Sequence, residues 1–272
     1  MIEKRNLALS VAIAALIFSG AAAAQNGQWR FSTGSDFSSG DYGGDPVDTE
    51  ITYVPFTTSY QTDLWTFQAT IPWVKIDGAG TVLGAGDGGI VIRDRRRNPG
   101  RPEPVPDPVA SSDSGIGDIW LSATHAVQAI PSDLFYLDLG VKVKLPTADD
   151  DNNLGTGKTD YTFQADIFKP LGNATPFLTL AYKMKGEPSD IALDDVLYVS
   201  VGSDFGVSPN THVGLSVDYQ EASFSGSDDS LELFGYVNQS LSSNWSFMLY
   251  GYSGLEDGSP DYGVGFQLSY KP

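Results

Sequence analysis

The chain has 272 residues, with 16 Lys+Arg against 34 Asp+Glu, and a formal charge of −18 disfavours nucleic acid as a partner, because phosphate is repelled. It has no cysteine and only two histidines, which removes disulfide scaffolds, thiol catalysis, iron–sulfur clusters and cysteine–zinc centres. Thirty glycines, 12% aromatics and a mean hydropathy of −0.15 fit many strands and turns, without separating a soluble β-sandwich from a membrane barrel.

Residues 1–24 read as an export signal. Lys4 and Arg5 form a positive start, 7–18 is an apolar run too short for a stable anchor, and Ala22-Ala23-Ala24 offers small residues for cleavage before Gln25. Residues 25–272 then form the expected barrel domain. No later stretch approaches 18 apolar residues, so no transmembrane helix is expected. Alternation of apolar and polar positions begins at 28–38 and continues at 49–60 and 63–75. A long stretch, 76–115, follows. It contains glycines over 78–89, a basic run of Arg93, Arg95, Arg96, Arg97 and Arg101, and four prolines at 102, 104, 106 and 108. A loop of this length is either functional or solvated. The functional reading makes it a pore gate, or an anion-contact loop facing lipopolysaccharide phosphates.

Alternation resumes at 116–128, 134–145, 160–170, 175–185, 196–205, 211–222, 230–240, 245–252 and 261–271. In 134–145 the odd positions Phe135, Leu137, Leu139, Val141, Val143 and Leu145 are apolar, while Asp138, Lys142 and Lys144 share the even face. Twelve segments of about 9–12 residues match the length that crosses a bilayer as tilted strands. Short links follow every second segment and long Gly-, Asp-, Ser- and Pro-rich links the others. The predicted fold is therefore an all-β, antiparallel up-and-down transmembrane barrel of about 12 strands, of the bacterial outer-membrane type, closed because lipid tolerates no open sheet edge. A soluble periplasmic sandwich is the rival fold. Trp29, Tyr60, Trp65, Tyr136, Phe168, Trp245 and Tyr270 lie near strand ends and are expected in interfacial girdles.

Parity assigns Asp138, Lys142, Lys144, Gln164, Asp166, Lys183, Lys185, Ser200, Asp204, His212, Asp218, Gln220 and Gln267 to the lumen. Such a face is either a charge-graded pore or a salt-bridged wall. Asp149-Asp150-Asp151-Asn152-Asn153 offers oxygens for Ca²⁺ but lacks the ligand spacing of an EF-hand, and a solvated acidic loop is the preferred reading. No cofactor or metal site is implied. Neither His125 nor His212 is followed by a serine two residues on, so catalysis is not expected. His125 shares parity with Leu121 and belongs in a girdle; His212 faces inward near a short turn.

One series of motifs is more specific. Gly117-Asp118-Ile119 is followed by Lys144-Leu145-Pro146-Thr147, then Leu154-Gly155-Thr156-Gly157 and Asp160. This series, over residues 115–185, resembles the outer-membrane transporter family of the meta-pathway of phenol degradation. Ala148 stands where that family usually has glycine, and Lys271-Pro272 follow the last aromatic, Tyr270. The resemblance implies an exported barrel that passes aromatic or other apolar compounds. The expected function is an outer-membrane channel passing small molecules by passive diffusion, with outer-membrane lipid and lipopolysaccharide as surroundings. The alternatives are a non-conducting structural or lipopolysaccharide-interacting barrel and a lipid-modifying enzyme. Oligomeric state and solute identity are open.

Overall fold

The computed structural model describes residues 27–42, 48–78, 82–83, 90–91, 111–131, 133–149, 154–188, 192–224 and 227–272. The segment expected to be an export signal and the five loop arginines therefore lie outside the described residues, as do 150–153. The strands are β1 (Gln28–Gly40), β2 (Thr49–Gln61), β3 (Trp65–Gly78), β4 (Val82–Leu83), β5 (Ile90–Val91), β6 (Ser111–Ile116), β7 (Ile119–Ala126), β8 (Tyr136–Leu145), β9 (Asp160–Phe168), β10 (Ala174–Met184), β11 (Val196–Ser208), β12 (Thr211–Gln220), β13 (Ser230–Ser240), β14 (Trp245–Gly254) and β15 (Tyr262–Tyr270).

All but β4 and β5 join one antiparallel sheet in sequence order, and β1 pairs with both β2 and β15. The sheet is thus closed into a barrel, β2 and β3 completing the ring and β6 pairing along β3. β6 and β7 both pair with β3, one beyond the other along its length, and occupy a single wall position. The wall therefore has twelve positions among the described residues. β4 and β5 form a separate two-stranded ribbon.

The distribution of side chains is the reverse of that in a soluble domain. On β10, Ala181 and Lys183 are 3% and 4% exposed, while the alternating Leu180, Tyr182 and Met184 are 39–48% exposed. Phe56, Phe67, Leu121, Val141, Phe163, Val201, Leu215, Leu233, Leu249 and Phe266 are likewise exposed on the outer face. In water such a surface would carry a large hydrophobic penalty. Facing hydrocarbon it carries none, and the polar residues turn to the interior.

The strand boundaries follow the alternation closely except around the long stretch. β3 continues to Gly78, and β6 begins at Ser111, so 76–78 and 111–115 belong to the wall rather than to a loop. Here the outer face is polar: Lys75 is ion-paired with Asp77, and Ser112 and Ser114 continue that face. A barrel wall rising beyond the lipid loses its apolar partner face, and with it the period-2 signal. The link between β7 and β8 is also longer than expected, spanning 127–135.

A bulge separates β6 from β7. Thr70 pairs with Trp120 and Trp73 with Ile116, so two residues of β3 oppose three of the facing chain. Gly117 N–H donates to Pro72 O at 2.9 Å. The extra residue reverses parity: Ile116 lies opposite the outward Trp73, whereas beyond the bulge Leu121 is the outward residue. Asp118 is buried at this point.

Candidate functional site

The lumen-facing positions predicted from parity lie on or just beyond β8–β12, except Gln267 on β15. Asp138, Lys142 and Lys144 lie on β8, Gln164 and Asp166 on β9, Lys183 on β10 with Lys185 just beyond it, Asp204 on β11, and His212 and Asp218 on β12. They do not form one cluster. At the short-turn end, Asp138 lies opposite Asp166 in the β8–β9 register. Asp166 accepts hydrogen bonds from Gln164 Nε2 at 2.7 and 2.9 Å and from Thr179 Oγ1 at 2.6 Å. His212 Nδ1 is 2.7 Å from Asp204 Oδ1, and the Tyr236 hydroxyl donates to Asp204 Oδ2 at 2.7 Å. The carboxylate thus ties three strands together.

At the long-loop end the lysines are engaged. Lys142 Nζ stands 4.2 Å from the centroid of the Trp120 ring. Lys183 Nζ stands 4.9 Å from that of Tyr198 and donates to Gln220 Oε1 at 2.5 Å. Between them opens a cavity of about 410 Å³, lined from β8 to β13 by groups including Lys142, Gln164, Lys183, Ser200, Asp218 and Glu232.

The motif residues, separated by up to 43 positions, meet at one place in the wall. Lys144 Nζ lies 2.8 Å from Asp160 Oδ2 and 3.4 Å from Asp118 Oδ2, and donates to Thr156 Oγ1 at 3.1 Å. Lys185 Nζ reaches Asp160 at 4.0 Å. Asp118 Oδ1 accepts the backbone N–H groups of Thr147 and Ala148 at 3.0 and 2.9 Å. Thr147 Oγ1 accepts Ile119 N–H at 2.9 Å and donates to Gly117 O at 3.2 Å. The side chains of Lys144, Asp118 and Asp160 are at most 8% exposed. Each buried charge has a counter-charge and hydrogen bonds, which is the condition for keeping ions out of water.

This network latches residues 146–149 and 154–159 against the inner wall. Leu154 then packs on the inward Val74 and Ile76, with Tyr53 and Ala148 alongside. The glycines of the motif have separate reasons. Gly157 takes a φ of 65°, which a side chain would strain. A Cβ on Gly155 would fall 2.8 Å from Ala148 Cβ and 3.0 Å from Asp118 Oδ2. Parity placed Lys144 inside the lumen, but periodicity carries no information about a loop that folds back. The signal that identifies the latch is the motif series itself.

The wall made by β12–β15 has a different chemistry. Phe234, Tyr236, Tyr250 and Tyr252 are in ring contact, with Phe234 centroids 5.7–6.5 Å from the other three. Each tyrosine lies flat over a glycine on the neighbouring strand: a Cβ on Gly214, Gly263 or Gly265 would fall 2.0, 2.1 or 2.4 Å from Tyr236, Tyr252 or Tyr250. Tyr252 OH donates to Asp36 Oδ1 at 2.9 Å. The glycines let the rings lie along the wall instead of across the lumen.

Of the aromatics expected in girdles, Trp29, Tyr60, Trp65, Trp245 and Tyr270 take outward positions at the short-turn end. Trp29 contacts Tyr60 at 4.8 Å and Trp245 contacts Tyr270 at 4.7 Å. His125 joins them, 4.5 Å from Trp65. Tyr136 and Phe168 depart from the expectation. They stack at 5.4 Å and share the inner-face register of Asp138 and Asp166. Sequence reasoning missed the second girdle: Trp73, Tyr161, Tyr182 and Tyr262 are exposed outward residues at the long-loop end.

The comparisons agree on the fold. An outer membrane channel from Pseudomonas putida F1 superposes with a TM-score of 0.66 at 15% identity, over 92% of this chain and 97% of that one. A NanC porin gives 0.55 at 8% identity, over 89% of this chain and 100% of that one. Among curated proteins none matches. The family model described as "Putative MetA-pathway of phenol degradation" matches residues 35–271.

Proposed function

We propose, from the premise that this chain belongs to the family of the MetA-pathway of phenol degradation, that it is an outer-membrane channel passing small molecules by diffusion. The observation that carries this reading is the cavity of about 410 Å³ inside a wall whose outer face is apolar. A hydrated lumen inside a lipid-facing barrel has solute passage as its natural use. The short turns, with Gln28 and Tyr270 at the same end, face the periplasm, and the latched part of the link (146–149 and 154–159) lies at the outer mouth. There it narrows the entrance, while the aromatic wall of Phe234, Tyr236, Tyr250 and Tyr252 offers ring surface to aromatic solutes. The outward Lys75–Asp77 pair meets lipopolysaccharide headgroups.

The protein is not an enzyme in this reading. His212 is held by Asp204 and serves as a wall strut. Purified barrel reconstituted in a planar bilayer is expected to give discrete current steps and to admit small aromatic solutes. A folded, inserted barrel that carries neither current nor solute would refute the channel and favour a structural role.

A further inference from the structure

Six residues form an unbroken row across the inner face of six neighbouring strands. Asp204, Gly214, Tyr236, Tyr250, Gly265 and Asp36 are successive cross-strand partners on β11, β12, β13, β14, β15 and β1. The row reads the same from either end: a carboxylate, a glycine, a tyrosine. Tyr236 lies over Gly214, and its hydroxyl donates to Asp204 Oδ2 at 2.7 Å. Tyr250 lies over Gly265 and so extends toward Asp36, the next residue of the row. Tyr252, in the neighbouring row, donates to Asp36 Oδ1 at 2.9 Å. Each ring therefore has one face on glycine backbone and the other toward the lumen. A ring face is the negative pole of its quadrupole, and a phenol that donates to a carboxylate is polarised in the same sense.

This lumen already places ammonium groups over rings. Lys142 stands over Trp120 at 4.2 Å and Lys183 over Tyr198 at 4.9 Å, and both pairs belong to β7–β11. Among the described residues, no lysine or arginine pairs with Asp36 or Asp204 or stands over Tyr236, Tyr250 or Tyr252. The two carboxylates are held by hydroxyls and, at Asp204, by His212 Nδ1 at 2.7 Å, which adds positive charge only when protonated. Neutral donors stabilise a carboxylate and leave its charge in place, so it still attracts a cation.

We infer that this row binds small aromatic ammonium ions in passage and makes the pore prefer cations to anions. The inference rests on the channel reading and names the class of its solute. Asp36 stands eight positions from the short-turn end of β1, and Asp204 four from that of β11. At about 3.3 Å per residue and a tilt of about 40°, Asp204 is about 10 Å deeper. The row is thus a ramp from the outer half of the lumen toward the periplasmic side. A solute ring stacks on Tyr250 or Tyr236 while its ammonium meets a carboxylate or a second ring face. A solute carboxylate is repelled by the ring faces and by both acids, and a neutral solute gains the stacking alone.

The test uses three compounds with the same ring and a similar side chain: phenethylammonium, 2-phenylethanol and 3-phenylpropanoate. Each is added to the wild-type barrel in a planar bilayer, and interruption of the ion current is recorded. Phenethylammonium is expected to block at a concentration about threefold to fivefold below 2-phenylethanol, the range of exposed ion pairs and cation–π contacts, and 3-phenylpropanoate is expected to block least. In a potassium chloride gradient the reversal potential is expected to show potassium favoured over chloride. Asp36→Asn and Asp204→Asn are each expected to reduce both preferences, either serving if the other does not fold. Asp257→Asn, in the exposed part of the link 255–261, is expected to leave them unchanged. Equal block by the three compounds, stronger block by the anion, or no preference for potassium overturns the inference. So does a loss with Asp257→Asn as large as with the lumen variants, which would assign the preference to the general acidity of the loops. A barrel that passes no current refutes the channel reading instead. Equilibrium binding of the same compounds to the detergent-solubilised barrel then still decides the row, by the same order of affinities.

Discussion

Lys144 carries its ammonium into a place that water does not reach. Its stability depends on Asp160, Asp118 and Thr156 together, and theirs on it. Lys144→Met removes the cation that bridges two buried carboxylates, leaving Asp118 without it and Asp160 with Lys185 at 4.0 Å. Breaking a buried pair in this way costs about 3–5 kcal/mol. Urea titration of the reconstituted barrel is expected to show a loss of that order, and single-channel conductance is expected to rise as the latched part of the link leaves the mouth. Unchanged conductance would mean that the link does not narrow the pore. A second carboxylate sets a pH limit. Asp229 accepts the Tyr219 hydroxyl at 2.7 Å and Ala222 N–H at 2.8 Å, and these hydrogen bonds hold it below the usual carboxylate range. Its folded pKa lies under its unfolded one, so its contribution is complete above the unfolded value and is lost as pH falls through the folded one. The link 221–229 is expected to stay anchored at neutral pH and to loosen only below that usual range. Tyr219→Phe should move the loosening to higher pH, which pepsin cleavage across acidic pH would read.

At the scale of the strand, the bulge at Gly117 and Asp118 joins two segments of wall and carries Asp118 to the latch. Deleting Gly117 leaves two residues facing two, so β6 and β7 keep their faces, but the Gly117 contacts to Pro72 and Thr147 and the irregularity that carries Asp118 to Thr147 and Ala148 are lost. The deletion variant is expected to assemble, with the compact fast-migrating form kept in unheated gels, but with the latch weakened and single-channel conductance raised. Unchanged conductance would show that the bulge is dispensable for the latch. The same feature explains what was legible in the sequence. Strands such as β10 and β12 were readable because one face meets lipid and the other water along their whole length. The bulge was not, because Ile116-Gly117-Asp118-Ile119 reads simply as a strand beginning. The ends of β3 and β6 were hidden for the reason that Lys75, Asp77, Ser112 and Ser114 leave no apolar face. The lumen lysines were found by parity, whereas their carboxylate partners Asp118 and Asp160 were visible only as members of a motif.

At the scale of the whole barrel, two girdles set the membrane position. Trp65 and Trp73 are both outward residues of β3, eight positions apart. At about 3.3 Å per residue and a tilt of about 40°, they are separated by about 20 Å along the membrane normal. That approaches the height of an outer-membrane apolar band. Single-tryptophan variants retaining either residue are expected to be quenched most by bromines placed near the headgroups. Strongest quenching at the bilayer centre would contradict this placement. The outward Lys75–Asp77 pair lies beyond Trp73 and therefore outside hydrocarbon.

The seam between β1 and β15 joins Phe31 to Tyr270 and Ser39 to Tyr262, nearly the whole length of the barrel chain apart. Ordering so long a loop costs conformational entropy before any seam bond repays it. A half-closed sheet gains little, since its two edges stay unpaired in a medium that offers no alternative partner. Folding of this chain is therefore expected to be slow and cooperative, with the first and last strands meeting late, and a truncation at either terminus should act on the rate of assembly as strongly as on the stability of the finished wall.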